Sequence, residues 1–143
     1  HMNDRGRAER EALLLGFLRA AQVLERRLEE SFAAVDLTAA RYWVLELLGR
    51  AGRPLPLREI AERLSCVRSN VTQLVDRLEA DGLVRRIPDP ADRRGVLAEL
   101  TPAGRARERE GAARLAGVLA AFESALSPED RAALGRVLDV ITR

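Results

Sequence analysis

The sequence predicts a mainly α-helical α+β fold that carries one small β-hairpin. Apolar residues recur at steps of three and four over most of the chain, as on the buried face of a helix. Two short helical segments, Leu57 to Leu64 and Arg68 to Ala80, are separated only by a tight turn, which is typical of a helix-turn-helix. Two short β-forming runs, Leu83 to Ile87 and Val96 to Leu100, follow directly and predict a hairpin, or wing. The predicted fold is therefore a winged helix-turn-helix flanked by long N- and C-terminal helices.

The composition is that of a folded domain. With 143 residues, 47% of them hydrophobic and 32% charged, the chain is long enough to bury a core without disulfides or metals. Its single cysteine, Cys66, excludes an intrachain disulfide and a multi-cysteine zinc site. The longest apolar runs are too short to span a bilayer, so we expect a cytoplasmic protein without membrane contact and without a cofactor.

The first two helices are predicted from periodicity and capping. A long amphipathic helix is expected from about Asp4 to Val35, with one apolar face made of Leu14, Phe17, Leu18, Ala21, Leu24, Leu28 and Phe32. Thr38 is suited to cap a second helix through Leu48. The Gly- and Pro-rich segment from Gly49 to Pro56 is expected to end it.

The helix-turn-helix and its wing follow. The first short helix is expected to turn Ile60, Ala61 and Leu64 inward, and the second to bury Val71, Leu74, Val75 and Leu78. Gly82 is suited to the left-handed conformation that ends a helix. Between the two β-runs, the segment from Pro88 to Gly95 is predicted as a turn-forming loop, with Arg93 and Arg94 at its tip.

The C-terminal part predicts two more helices. Thr101 and Pro102 have the order of a cap and a first helical residue, and a seam of Ala112, Leu115, Leu119, Phe122 and Leu126 follows them. Ser127 is suited to cap a last helix whose apolar face is Leu134, Val137, Leu138 and Ile141. A small monomer would cover these faces poorly, so we expect a homodimer. One compact domain is expected, with helices for dimerisation and support in 3–52, a winged helix-turn-helix DNA-binding module in 53–100 and dimerisation helices in 101–143.

The stretch from Leu57 to Arg105 resembles the MarR family of bacterial transcriptional regulators. The resemblance rests on an ordered set of segments: LREIAERL from Leu57, VTQLVDRLE from Val71, GLVRR from Gly82, DPADRR from Asp89 and LTPAG from Leu100. It implies a homodimer with two DNA-binding lobes, often with a ligand pocket between lobe and dimer region. The implied function is a sequence-specific transcriptional regulator, typically a ligand-responsive repressor on a pseudo-palindromic operator. Val67 and Gln73 depart from the family pattern, where a small polar residue and an arginine are frequent.

The second helix of a helix-turn-helix enters the major groove of double-stranded DNA. Its polar side offers the candidate base-contacting residues Arg68, Ser69, Asn70, Thr72, Gln73 and Arg77. Arg93 and Arg94 are candidates for the minor groove, and Asp92 is expected either to hold an arginine in place or simply to form the turn. Arg86, like Arg85, could reach phosphates or remain solvated. Six arginines and five acids lie between Arg68 and Arg94, so binding must depend on the placement of a few arginines.

Two further features bear on regulation. Cys66 lies in the predicted turn before the DNA-reading helix, where it is either a small turn residue or a redox sensor. The aromatic residues Phe17, Phe32, Tyr42 and Trp43 lie in the first two helices, which the resemblance places beside the ligand cavity. They could fill the core or line a pocket for a small aromatic or lipophilic effector.

Other classes of protein fit the sequence less well. The only histidine, His1, precedes Met2, which we take as the natural start, and neither a converging carboxylate pair nor a phosphate-binding glycine loop is present. An enzyme is therefore not expected. A winged-helix interaction scaffold without specific DNA binding and a PadR-like regulator remain open.

Overall fold

The computed structural model describes residues 2–64 and 70–143 and contains six α-helices and three β-strands in that part of the chain. In chain order these are α1 (Met2–Ala33), α2 (Ala39–Ala51), β1 (Leu55–Pro56), α3 (Leu57–Arg63), α4 (Val71–Ala80), β2 (Val84–Asp89), β3 (Asp92–Leu100), α5 (Pro102–Ser124) and α6 (Pro128–Ile141). The predicted fold class, a mainly helical winged helix-turn-helix between long flanking helices, is confirmed.

A tight corner joins α1 to α2. Asp36 adopts a left-handed conformation (φ 56°), and the N–H of Leu37 donates to the carbonyl oxygen of Phe32 at 3.0 Å. Thr38 caps α2 as predicted, because its Oγ1 accepts from the N–H of Arg41 at 3.2 Å. The helix continues through Gly49, contrary to the prediction, and ends where Gly52 takes a positive φ of 65°.

A three-stranded antiparallel sheet follows the order β1-β3-β2, and the two-residue strand β1 was not predicted. The predicted loop from Pro88 to Gly95 was too long. The strands reach Asp89 and begin again at Asp92, because the two aspartates accept the N–H groups of Ala91 and Arg94 and so tighten the turn. Arg93 and Arg94 consequently lie in β3 rather than at the hairpin tip.

The core lies where α2, α3, α4 and the sheet meet, and this part of the chain is called the lobe. Its fully buried side chains include Leu45, Leu55, Ile60, Val75, Leu78 and Val84. Ala61, predicted to point inward, is exposed, and Leu64 is half-buried. Thr101 joins the lobe to α5, since its Oγ1 accepts from the N–H of Gly104 at 3.0 Å and donates to the carbonyl oxygen of Gly82 at 2.7 Å.

The two ends of the chain keep apolar surface exposed. The large exposed side chains are Leu13, Leu14, Leu15 and Leu18 of α1, Leu119 of α5, and Val137, Leu138, Val140 and Ile141 of α6. Ser127 caps α6 through a capping box with Asp130, as the sequence predicted, yet no residue of α6 is buried. Within residues 2–64 and 70–143, no helix has the length and apolar character needed to cross a membrane.

Candidate nucleic-acid interface

The helix α4 presents one apolar and one polar side. Val75 and Leu78 are buried against the core, and Asn70, Thr72, Gln73, Asp76 and Arg77 are exposed. The other candidates near this helix, Arg68 and Ser69, lie outside the described residues, as do Cys66 and Val67. Neighbouring polar side chains on an exposed face can meet base edges in the major groove.

The predicted helix start at Arg68 was wrong, because the cap lies at Asn70. This residue has extended backbone angles (φ −71°, ψ 112°), and its Oδ1 accepts from the N–H of Thr72 at 2.9 Å. The bond satisfies one of the N–H groups that lack a partner at a helix start. Asn70, predicted only as a base-contacting residue, therefore also caps the start of α4.

An aspartate at the far end of α4 holds two arginines. Asp81 Oδ2 lies 3.2 Å from Arg77 Nε and 3.4 Å from Arg41 Nη1 of α2. The Arg77 side chain remains 62% exposed, so the ion pair leaves most of it in solvent. The sequence carries a signal for the Arg77–Asp81 pair, which has helical i,i+4 spacing, but none for the contact with Arg41.

Arg86 on β2 is bound to α4. Its Nη2 lies 2.6 Å from Asp76 Oδ1 and its Nη1 lies 2.9 Å from Glu79 Oε1, while its backbone N–H donates to Glu79 Oε2 at 2.9 Å. Partial burial acts to lower the pKa of the Arg86 guanidinium, but the hydrogen bonds and the charges of both carboxylates outweigh it and raise that pKa above its usual value. Arg86 therefore stays charged and paired with two acids of the exposed face.

The wing presents Arg93 and Arg94 as exposed side chains on β3. Asp92 supports the wing through the backbone, because its Oδ1 accepts the N–H of Arg94 at 3.0 Å. The arginine is thus held by its main chain, which leaves its guanidinium outside this contact. Arg85, on β2, is 60% exposed and lies 3.4 Å from Glu99.

The four aromatic candidates for an effector pocket lie on α1 and α2. Phe32 and Tyr42 are buried and stacked, with ring centroids 4.7 Å apart, and Trp43 meets the Tyr42 ring edge-on at 5.2 Å. Phe17 is half-buried on α1. Burial, with smaller contributions from Glu108 and Glu46, raises the pKa of the Tyr42 hydroxyl. Three of these residues thus belong mainly to the packing of α1 against α2.

A groove between α1 and α5 has a volume of about 330 Å³. Its apolar lining includes Leu24, Val118 and Phe122, and Arg27 and Arg114 border it. None of the four predicted aromatic residues lines this groove. Among the described residues, no cluster of three or more His, Cys, Asp or Glu side chains could hold a metal ion.

Comparison with known proteins identifies the family. The model of the MarR family matches residues 35–95, from the corner after α1 to the wing. The transcriptional regulator PecS of Dickeya dadantii is 33% identical over 132 residues, which cover 87% of this chain and 80% of PecS. The chain belongs to the MarR family. MarR-family proteins are transcription regulators, so the expectation that this chain is not an enzyme is confirmed by its family.

Solved MarR-family structures share the whole architecture. The regulator Sco3205 from Streptomyces coelicolor, solved in complex with DNA, has a TM-score of 0.82 at 30% identity, covering 94% of this chain and 86% of Sco3205. A cysteine-to-serine mutant of MarR from Escherichia coli, solved with operator DNA, has a TM-score of 0.79 at 29% identity, covering 93% and 96% of the two chains. In sequence, this chain matches 58% of the length of Escherichia coli MarR, with 39% identity over 85 residues.

Proposed function

We propose that this protein is a sequence-specific DNA-binding transcriptional regulator that acts as a homodimer. The observation that carries the proposal is the exposed polar side of α4 beside a hairpin that bears Arg93 and Arg94. This is the helix-plus-wing arrangement that reads a duplex through both grooves. Two relatives with the same architecture were solved with DNA, which supports the same use of this surface.

The proposed base contacts come from α4 and from the residues that precede it in the sequence. They are Arg68, Ser69, Asn70, Thr72, Gln73 and, one turn later, Arg77. Because the cap of α4 uses Asn70 Oδ1, the side chain keeps its amide N–H groups for a base, so we expect donation to an acceptor such as guanine O6 or thymine O4. A two-point contact with adenine would need the oxygen as well and would compete with the cap.

The proposed dimer uses the exposed apolar faces of α1 and α6. Four leucines between positions 13 and 18 of α1 and four aliphatic residues near the end of α6 are 40% exposed or more. Apolar surface of this extent favours association with a second copy that covers it. Two lobes related by a twofold axis would read half-sites whose centres lie about 10 bp apart.

Sedimentation of charged variants tests the dimer. Leu14→Glu and Ile141→Glu are expected to shift the protein toward the monomer mass, because each places a charge on an exposed apolar face. Val96→Glu is the matched control, since Val96 is 41% exposed but lies on the wing. A monomeric wild type, or equal dissociation of all three variants, would contradict the proposed interface.

We further propose that the protein represses transcription and that a small aromatic or lipophilic effector relieves the repression. The groove between α1 and α5 supports this, because apolar walls with two arginines at the border suit a lipophilic molecule that carries an acidic group. Phe32 and Tyr42 contribute to the packing beside it rather than to its walls. Val118→Trp would fill the groove, and we expect it to abolish any effector-induced loss of DNA affinity.

The experiment that tests the function is selection of bound sequences from random duplex DNA by the full chain, at near-physiological salt. Enrichment of an inverted repeat that is lost in Gln73→Ala and weakened in Arg94→Ala would support the proposal. Recovery of no motif, with weak retention on heparin, would instead favour a winged-helix interaction scaffold.

A further inference from the structure

Three hydrogen bonds tie one residue of the wing to the DNA-reading helix. Arg86 reaches Asp76 at 2.6 Å and Glu79 at 2.9 Å with its guanidinium, and its backbone N–H donates to the second oxygen of Glu79 at 2.9 Å. The two carboxylates lie one turn apart on α4, and a single planar fork spans both of them. These bonds cross between α4 and β2, so they fix the helix relative to the hairpin.

The guanidinium of Arg86 already pairs with two carboxylates, and its side chain is less exposed than that of Arg85. Its side chain is 25% exposed, compared with 60% for its neighbour Arg85, which has a single ion pair at 3.4 Å. Two of the five guanidinium N–H groups of Arg86 are used by the carboxylates, so a phosphate could meet only the remaining ones, on a side chain that is mostly buried. Among the described residues, Arg85 pairs only with Glu99, through a longer contact, so it is freer to reach a phosphate. In the sequence the two arginines looked equivalent.

The same contacts offset charge on the polar side of α4. Asp76 and Glu79 are 60% and 41% exposed, and Asp76 lies one turn beyond Gln73. Two unpaired carboxylates at this position would repel the phosphates of a duplex. The guanidinium of Arg86 lies against both and cancels part of that repulsion.

We propose that Arg86 is a positioning residue of the interface rather than a phosphate contact. It sets the orientation of α4 relative to the wing, so that the major-groove and minor-groove contacts are made together, and it neutralises Asp76 and Glu79. The assignment rests on the proposed DNA-binding function. This role replaces the phosphate contact that the sequence suggested for Arg86 because it stands next to Arg85.

The test compares the affinity of the full chain for two probes, a duplex selected from a random pool by the wild type and a duplex of random sequence. A phosphate contact contributes equally to both probes, so its loss leaves the affinity ratio unchanged and lowers the slope of affinity against salt by about one. A positioning residue acts through geometry, so its loss lowers the ratio. We expect Arg86→Ala to lower the ratio by about tenfold, a typical penalty for one good base contact.

Three further variants separate geometry from charge. Arg86→Lys keeps the charge but loses the planar fork, and it is expected to stay close to Arg86→Ala in ratio. Asp76→Asn/Glu79→Gln removes both acceptors and is expected to lower the ratio too, and adding Arg86→Ala to this double variant should change the ratio less than about threefold. Arg85→Ala is the matched control, with an unchanged ratio.

The outcomes are distinct for the two proposals. A wild-type ratio near one would overturn the proposed function, and the role of Arg86 with it. A large wild-type ratio that Arg86→Ala leaves intact would overturn only the role assigned to Arg86. Two other results would also overturn the positioning role and restore Arg86 as a phosphate contact. One is complete rescue of the ratio by Arg86→Lys. The other is a gain of affinity for both probes, at constant ratio, in the double carboxylate variant.

Discussion

The backbone of Gly111 on α5 lies directly against the ring of Tyr42 on α2. A β-carbon at position 111 would stand 2.7 Å from Tyr42 Cε1 and 3.1 Å from a methyl carbon of Leu37. Gly111 is buried, so a larger residue cannot turn toward solvent. The close approach of α5 to α2 therefore depends on glycine at this position.

Gly111→Ala is expected to destabilise the fold by about 1–3 kcal/mol, because the added methyl group forces the Tyr42 ring and α5 apart. Gly117→Ala is the control on the same helix. No atom lies within 4 Å of its added β-carbon, so it should stabilise by up to about 1 kcal/mol through helix propensity. Urea unfolding measures both, and equal effects of the two substitutions would contradict the packing described.

Alkaline pH is expected to destabilise the protein through Tyr42. Burial raises the pKa of its hydroxyl in the folded state, so the unfolded chain releases the proton first as pH rises. Stability is thus fully present below about pH 10, the usual pKa of tyrosine, and is lost as pH rises above it toward the folded-state pKa. The chain has one tyrosine and no lysine, so no other tyrosine or lysine side chain contributes in this pH range.

Urea unfolding at pH 8 and pH 11 checks this expectation, with Tyr42→Phe as the comparison. The phenylalanine variant keeps the stack on Phe32 but has no proton to lose. Its stability should change less between the two pH values than that of the wild type. A parallel loss in both proteins would place the alkaline effect elsewhere.

Asn70 is expected to have two separable roles. Asn70→Ala removes the side-chain acceptor for the N–H of Thr72 and should cost about 1 kcal/mol of stability. Asn70→Asp keeps the acceptor and suits the positive end of α4, so its stability should match the wild type. DNA affinity should fall in both variants, because Ala lacks the amide donor and the carboxylate of Asp would repel phosphate. Urea unfolding and DNA titration of the same samples measure the two roles separately. An Asn70→Ala variant as stable as the wild type would refute the capping role.

The wing arginines should differ from Asp92 in how they affect binding. Arg94→Ala is expected to weaken binding mainly at AT-rich flanks and to lower the salt slope by about one, since it removes a positive side chain from β3. Asp92→Asn keeps the oxygen that accepts the Arg94 N–H and should leave the affinity nearly unchanged. Asp92→Ala loses that bond and should weaken binding. Fluorescence anisotropy at several salt concentrations distinguishes the three variants, and an unchanged slope for Arg94→Ala would argue against its contact with DNA.

Local chemistry made most of the helices predictable. Thr38, Thr101 and Ser127 were identified as caps because a cap depends on residues within one turn, and all three form the expected hydrogen bonds. Strand β1 was missed, since it consists of Leu55 and Pro56 alone and exists only because β3 lies beside it. Its pairing is a tertiary contact, which a local sequence pattern does not predict.

The candidate site was less predictable than the fold. The sequence places Arg85 and Arg86 side by side, but alternation along β2 leaves only Arg86 beside Asp76 and Glu79. Likewise, tightening of the hairpin by Asp89 and Asp92 moved the wing arginines from the loop into a strand. The hairpin bonds are local, but the pairing of Arg86 with Asp76 and Glu79 depends on how β2 packs on α4, and spacing in the sequence does not encode it.

The corner between α1 and α2 joins the long first helix to the lobe. Leu37 is buried there, and its N–H is bonded back to the carbonyl oxygen of Phe32, so the start of α2 is tied to the end of α1. The 32 residues of α1 extend about 48 Å at 1.5 Å per residue. A tilt of about 4° then shifts one end relative to the other by about 3.4 Å, which is about the axial rise of one base pair in a B-form duplex. A small change of angle at this corner therefore becomes a displacement of several ångströms at the far end of α1.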